Sequence, residues 1–473
     1  MRTEAKTFFA RQSWIQGKWQ HNVLLGVDAS GHWSHITPNA PVGHIANATT
    51  LSGLALPGLV NAHSHAFQRA IAGLTERRSA GAGASDDFWS WRDRMYSAAL
   101  RISPEQLESI ATQLYSELLA GGYTQVCEFH YLHNDLAGSA YANPAEMSLA
   151  LVRAAQATGI GLTLLPTLYM RSGFTASGLR DDQRRFASTP ASIARIVEEV
   201  QRDTKDDPRI NVGIAIHSLR AVGNHALNEI AAYAKQRQLP VHIHIAEQTQ
   251  EVDDCIAHTG QRPVEWLLNH VEVDARWNLV HATHTNPFEL AGVQKAGASI
   301  VICPATEANL GDGVFDLPGY AAVSGIWSIG SDSHVTRRWS EELRLLEYSQ
   351  RFALRKRNVA AQALQHESSA AALFNAVLTG GLPASGQSLG GVDIGQRADF
   401  CVLDAQSPAL LGMPASHTLD ALVFSSPDAG FEAAYVAGRQ VVQDGQPGRV
   451  TLGVDAWARI KQNYVRTMTQ LWA

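Results

Sequence analysis

The chain has 473 residues, of which 45% are hydrophobic and 17% charged, and a formal net charge of −6, a composition that excludes a disordered chain and argues against a nucleic-acid-binding surface. No apolar run approaches the roughly 18 residues needed to span a bilayer, and "MRTEAKTFFARQSW" lacks the continuous apolar core of a signal peptide. The expected location is therefore cytoplasmic, with a small molecule as partner and neither nucleic acid nor membrane. Cys127, Cys255, Cys303 and Cys401 are far apart and form no Cys-x-x-Cys pair, so they read as packing residues. Asn47-Ala48-Thr49 fits a glycosylation sequon but reads as accidental in a chain without a secretion signal.

In chain order, residues 1–56 carry short β-like runs with turn signals, such as "WIQGKW" and "VLLGVDASGHW". From Pro57 to about Ser385, eight short apolar runs alternate with longer helical patterns: "GLVNAH" (58–63), "YTQVCEFHY" (123–131), "IGLTLLPTLY" (160–169), "NVGIAIH" (211–217), "PVHIHIA" (240–246), "NLVH" (278–281), "SIVICP" (299–304) and "IWSIGSD" (326–332). Eight strands separated by helices predict an α/β (β/α)8 TIM-like barrel. Ser103-Pro104-Glu105-Gln106 and Asn143-Pro144-Ala145-Glu146 each offer a capping residue, a proline at the first helical position and Gln or Glu three residues after the cap. Beyond 386, "ADFCVLD" and "AAYVAGRQVVQDG" return to β-like runs before a helical "AWARIKQNYVRTMTQLW". Residues 1–56 and 386–473 are expected to combine into one small β-sandwich, C-terminal helix included, flanking a catalytic barrel at 57–385.

A (β/α)8 barrel places its active site at the C-terminal strand ends. The first run enters "LVNAHSHAFQRA", where His63 and His65 stand two apart and so share one face of a strand. The fifth run leads into His244 with Glu247 three residues on, the sixth ends in His281 and the eighth in Asp332. Alone, each has an ordinary reading as a satisfied core histidine, a capping aspartate or a solvated glutamate. Together they resist a packing explanation, because burying ionisable groups costs several kcal/mol unless they are paired or metal-bound. Three histidines and an aspartate make an N/O site with room for water, which suits a catalytic zinc. A carboxylate outside the ligand set, such as Glu247, can shuttle protons to a leaving nitrogen.

"PGLVNAHSH", "HIHIAEQ", "VHATH" and "GSDSH" resemble the metal-dependent amidohydrolase superfamily over nearly the whole chain. That resemblance implies one zinc ion per chain held by His63, His65, His244 and Asp332, with Glu247, His281 and Asp332 in the chemistry, and a homodimer. Binuclear relatives carry a lysine at the end of strand four, whereas that end is His217 here, with no lysine between Val212 and Arg220. More narrowly, "AHSHAFQRAIAGL", "FWSWRDRMY", "HSLRAV", "CPATEANLGDG" and "SDSHV" resemble the branch that deiminates N-formimino-L-glutamate in histidine degradation.

Such a substrate, with an amidinium-like head and two carboxylates, calls for cationic and donor groups. Gln68, Arg92, Tyr131, His217 and Arg220 are the candidates, since arginine forks match carboxylates bidentately. Arg92, beside Asp93 and Arg94, also reads as a helix-surface charge. His242 is expected inside the barrel and His334 as a support for the site. One departure stands out in "YMRSGF" (169–174), where Arg171 occupies a position expected to be histidine, which bears on substrate preference. Two rivals differ in class: a zinc aminohydrolase of a purine, pyrimidine or triazine ring, whose pocket would need aromatic or amide groups to read the ring, and a non-catalytic metal-binding barrel, disfavoured by Glu247.

Overall fold

The computed structural model describes residues 5–41, 43, 45–77, 88–404, 406–425 and 429–473, without the side chains of Phe88 and Trp89. The side chains of those two residues of "FWSWRDRMY" and residues 1–4 of the N-terminal flank thus lie outside what is described here. Eight parallel strands pair in sequence order: Leu59–Ser64, Tyr123–His130, Gly161–Leu168, Ile214–Ile216, Val241–Ile245, Trp277–His281, Ser299–Ile302 and Ile326–Ile329. All their residues except Ile326 are buried, which is why they read as continuous apolar runs rather than alternating ones.

The eighth strand returns to the first through its extension: Asp332 N–H donates to His63 O (3.0 Å) and His65 N–H to Asp332 O (3.3 Å). Gly330 permits that approach, since a Cβ there would sit 2.5 Å from His63 Cβ. The fourth strand is broken, with Ile210–Val212 separated from Ile214–Ile216. At the break, Gly213 passes so close to Pro240 that a Cβ would lie 2.7 Å from its carbonyl oxygen.

The first helix cap is as expected: Gln106 N–H donates to Ser103 Oγ (3.2 Å) and Ser103 N–H to Gln106 Oε1 (3.0 Å), opening Pro104–Ala120. The second differs. Asn143 Oδ1 accepts from Ala145 N–H (3.0 Å) in a turn that precedes the helix, which begins only at Glu146. Asparagine competes for nearby backbone donors in either role, and here the turn wins.

The N-terminal end of the barrel is covered by the helix Ser369–Ser385. Its last carbonyls, which no helical donor can reach, accept from inward polar side chains of the strands: Asn278 Nδ2 to Pro383 O (3.2 Å), His242 Nε2 to Ala384 O (2.8 Å) and Thr163 Oγ1 to Ser385 O (2.8 Å). His242 is thereby spent inside the barrel, away from its C-terminal rim.

The chain's two ends build a separate mixed sheet of nine strands, in which Ala55–Pro57 pairs with Phe400–Leu403. This sheet curls on itself as a sandwich does. Trp33 lies four strands from Phe400 in pairing order, yet the rings are 5.4 Å apart, and Phe400 stacks on Tyr435 at 4.3 Å. The C-terminal helix Ala456–Trp472 lies against the barrel instead, where Arg69 donates to Tyr464 Oη (2.9 Å) and Tyr464 Oη to Arg69 O (3.2 Å).

Candidate active site

His63 and His65 leave the first strand on one face, as i and i+2 must, and His244 joins them from the fifth. His63 Nε2 lies 3.1 Å from His65 Nε2 and 3.0 Å from His244 Nε2, and Asp332 Oδ1 is 3.5 and 3.3 Å from the first two nitrogens. The Nδ1 atoms of His65 and His244 donate to the carbonyls of Phe129 (2.8 Å) and His217 (3.1 Å). A carbonyl can only accept, so these imidazoles carry their proton on Nδ1 and aim bare Nε2 lone pairs at a common point. His63 can donate to one of them at most. Burial drives the pKa of His63 down to about 3 and lowers those of His65 and His244, leaving neutral imidazoles, the form a metal ligand requires. Burial also pushes the Asp332 carboxyl up, but its hydrogen bond with His63 and the surrounding imidazoles outweigh that and hold it well below the usual carboxylate range. With the His63 proton moved to its unpartnered Nδ1, three lone pairs and a carboxylate would face one small cation.

Beside this set, His281 Nε2 stands 3.5 Å from Glu247 Oε1 and 3.9 Å from Asp332 Oδ2. Its Nδ1 faces Glu307 Oε1 at 3.3 Å. Burial raises Glu247 to about 7, within the range suited to moving protons at neutral pH. Burial alone would lower His281, but the carboxylates of Glu247, Glu307 and Asp332 around it raise it to about 10. Ala246, His281, Ala282, Asp332 and His334 all have φ between +44° and +69°. Such strain in non-glycine residues persists where the surroundings over-determine it, and it collects at functional sites. His334 braces the first strand end, with Nε2 3.0 Å from His65 O and Nδ1 3.0 Å from Ser331 Oγ.

The same pocket is lined by Gln68, Arg92, Tyr131, His217 and Arg220. Gln68 Nε2 donates to Tyr131 Oη (3.2 Å), which fixes both groups. Arg92 is half-buried on the helix Phe88–Ala99. Its neighbour Asp93 faces outward to Arg180 (3.0 Å), so Arg92 is not the surface charge its neighbours suggested. Arg220 is 7% exposed. Burial works against its charge, but Glu251 and Glu247 raise its pKa above the ordinary arginine value. Burial, followed by Arg220, holds His217 well below the usual histidine range, so it is neutral.

Several neighbours were not singled out in the sequence. Trp91, Met95, Tyr96 and Leu310 also line the pocket. Met95 and Tyr96 follow Arg92 at i+3 and i+4, the spacing that shares a helix face, a signal available once Arg92 is placed. The Phe129 ring packs 5.1, 5.2 and 4.3 Å from the rings of His63, His65 and His244, and its position two before Tyr131 carried that parity. Glu307 sits within "CPATEANLGDG" without any local mark of its contact with His281.

A barrel with imidazoles and an aspartate gathered at its C-terminal rim defines a class, and the comparisons agree: the amidohydrolase family matches residues 54–441, and the chain belongs to that family. It is a hydrolase acting on carbon–nitrogen bonds. It is 45% identical over 438 residues to the formimidoylglutamate deiminase of Pseudomonas aeruginosa, covering 93% of this chain and 95% of that one. Among solved structures, an amidohydrolase from Brucella melitensis superposes with a TM-score of 0.91 at 40% identity, over 99% of this chain and 100% of that one. An adenosine deaminase from Xanthomonas campestris with bound zinc shares the fold, with a TM-score of 0.77 at 22% identity over 98% of each chain. Among the described residues no helix is long and apolar enough to cross a membrane.

Proposed function

We propose that the chain hydrolyses N-formimino-L-glutamate to N-formyl-L-glutamate and ammonia, as a step of histidine degradation, in the cytoplasm and as a homodimer with one zinc ion per chain. The observation that carries this reading is the pairing of a proton-shuttling carboxylate, Glu247, with buried Arg220 in one pocket, alongside the 45% identity to a formimidoylglutamate deiminase. His63, His65, His244 and Asp332 would hold the ion. Zinc in such a site supplies Lewis acidity and lowers the pKa of water to about 7.

The chain's own groups do the rest. Glu247 takes a proton from the attacking water and delivers it to the formimino nitrogen, and the remaining hydroxyl proton passes to the same nitrogen, so that both hydrogens of the water leave in ammonia as the C–N bond breaks and the oxygen becomes the formyl carbonyl. His281, between Glu247 and Asp332, orients the attacking oxygen through Nε2. Arg220 and Arg92 receive the substrate carboxylates, with Gln68, Tyr131 and His217 fixing the glutamate portion. Release of ammonia from a panel of formimino amino acids and of purine, pyrimidine and triazine rings, by zinc-loaded and chelator-stripped protein, tests the reading. Turnover confined to N-formimino-L-glutamate and dependent on metal is expected. Preferential turnover of a ring, or full activity without metal, would refute it.

A further inference from the structure

Arg171, the residue whose identity departs from the resemblance, does not line the pocket. It stands behind it. Its Nε donates to Arg220 O (3.0 Å), its Nη2 to Leu219 O (3.1 Å) and Val222 O (3.2 Å), and its Nη1 to Phe174 O (3.3 Å). The backbone N–H groups of Met170 and Arg171 both donate to Ala221 O (2.9 and 3.1 Å). Four consecutive carbonyls, 219 to 222, are therefore turned toward residues 170 and 171. The segment is a turn, outside any helix or strand, so these carbonyls have no regular ladder to join and would otherwise need water or a side chain. Burial alone lowers the pKa of Arg171 from the ordinary arginine value, with no carboxylate opposing it among the described residues. Its donors are spent on backbone carbonyls, three of them on that one turn.

Arg220 lies on that same turn and reaches into the pocket, where it is buried with Glu247 and Glu251 nearby. We propose that Arg171 is the positioning residue of the 219–222 turn: its planar fork fixes the backbone from which Arg220 enters the pocket, and so governs selectivity for a carboxylate-bearing substrate without touching it. The proposal rests on the reading above that Arg220 receives a substrate carboxylate. Only a guanidinium offers donors spread widely enough to reach the carbonyls of 174, 219, 220 and 222 together; a lysine ammonium is a point charge with three donors, and an imidazole has two.

The test uses zinc-loaded protein in the variants Arg171→Gln, Arg171→Lys, Arg220→Met and Arg171→Gln with Arg220→Met. Hydrogen exchange of peptides covering 217–222 is expected to be about tenfold faster in Arg171→Gln and intermediate in Arg171→Lys, with peptides covering 63–65 unchanged. In Arg171→Gln, KM for N-formimino-L-glutamate is expected to rise about tenfold, the effect of one weakened charged hydrogen bond. Its kcat, its zinc content and the turnover of an N-alkylformamidine lacking carboxylates should stay near the parent's. Arg171→Gln should add less than about twofold in the Arg220→Met background, because the two act through one contact.

Unchanged exchange at 217–222 would overturn the proposal. So would parallel losses on both substrates, or multiplying effects in the double variant. If Arg171→Gln fails to fold, Arg171→Lys carries the same comparisons. If the parent protein does not hydrolyse N-formimino-L-glutamate, the functional reading falls, while the exchange measurement still decides whether Arg171 holds the turn.

Discussion

Replacing Gly330 with alanine perturbs the seam where the eighth strand meets the first, directly behind the proposed metal ligands. The added Cβ would lie 2.5 Å from His63 Cβ and 2.8 Å from both His63 N and His63 O. Carbon atoms in contact sit about 3.5–4.0 Å apart, so the strands must separate by about 1 Å. No rotamer change relieves this, because the obstructing atoms are backbone and Cβ. The Asp332 N–H to His63 O bond of 3.0 Å crosses the same seam, so the separation also moves Asp332 away from the histidines.

Without metal, the variant can relax by opening there. With metal, four ligands must return to one point, at bond lengths of about 2.0–2.2 Å that tolerate only about 0.2 Å of error. Overpacking of this kind costs about 1–3 kcal/mol, and if the strain returns when the ion binds, zinc affinity falls about 5- to 150-fold. Competition against a chromogenic chelator measures the affinity, and thermal unfolding with and without zinc measures the strain in each state. A Gly330→Ala protein with parental affinity and parental Tm in both states would refute the reasoning.

Glu247→Gln is expected to keep its zinc and lose about 10²- to 10⁴-fold in kcat, the range of general acid–base catalysis, whereas His244→Ala should lose zinc; equal metal loss in both would make Glu247 a ligand or a structural group. Arg220→Met should lower kcat/KM for N-formimino-L-glutamate about 10- to 150-fold, from a charged hydrogen bond of about 1.5–3 kcal/mol, with a formamidine lacking carboxylates little affected; parallel losses would argue against a carboxylate contact. Glu117 accepts from Arg69 Nε (2.8 Å), Arg69 Nη2 (2.9 Å) and Gln113 Nε2 (2.8 Å). Burial raises its pKa, but Arg69, Gln113 and Arg337 outweigh that and hold it below the usual 4.5. Its stabilisation is therefore complete above that value and lost as pH falls through the depressed one. Glu117→Gln should lower Tm at pH 7, with the deficit shrinking in acid; a deficit independent of pH would mean that packing, not charge, is lost.

The local pattern carried much of this site. His63 and His65 share a face through the two-residue period of a strand, His244 lies near the end of an apolar run, and His281 and Asp332 each close one, so their gathering follows once eight such runs are read as one barrel. Other features were not local. Asn143 had the signature of a helix cap, but its side chain serves the turn before Glu146, because the same short amide suits both roles. The fourth run looked continuous, yet it breaks at Gly213, where the carbonyl of Pro240, just before the neighbouring strand, leaves no room for a Cβ.

By itself the sequence determined the barrel, the residues at its rim and the family, because side-chain period, strand length and cap chemistry act over a few neighbours. Only the tertiary structure decided which polar residues work at the rim and which support the frame. His242, which shares the strand parity of His244, was expected inside the barrel, but its partner there, a carbonyl of the helix at the far end, is a tertiary contact. Arg171 and Arg220 come from segments 49 positions apart and meet at one turn, the first donating to its carbonyls and the second extending from it into the pocket. The physical reason is that a polar side chain is assigned by whichever donor or acceptor lies within about 3 Å of it, and these partners arrive from segments far away in the chain.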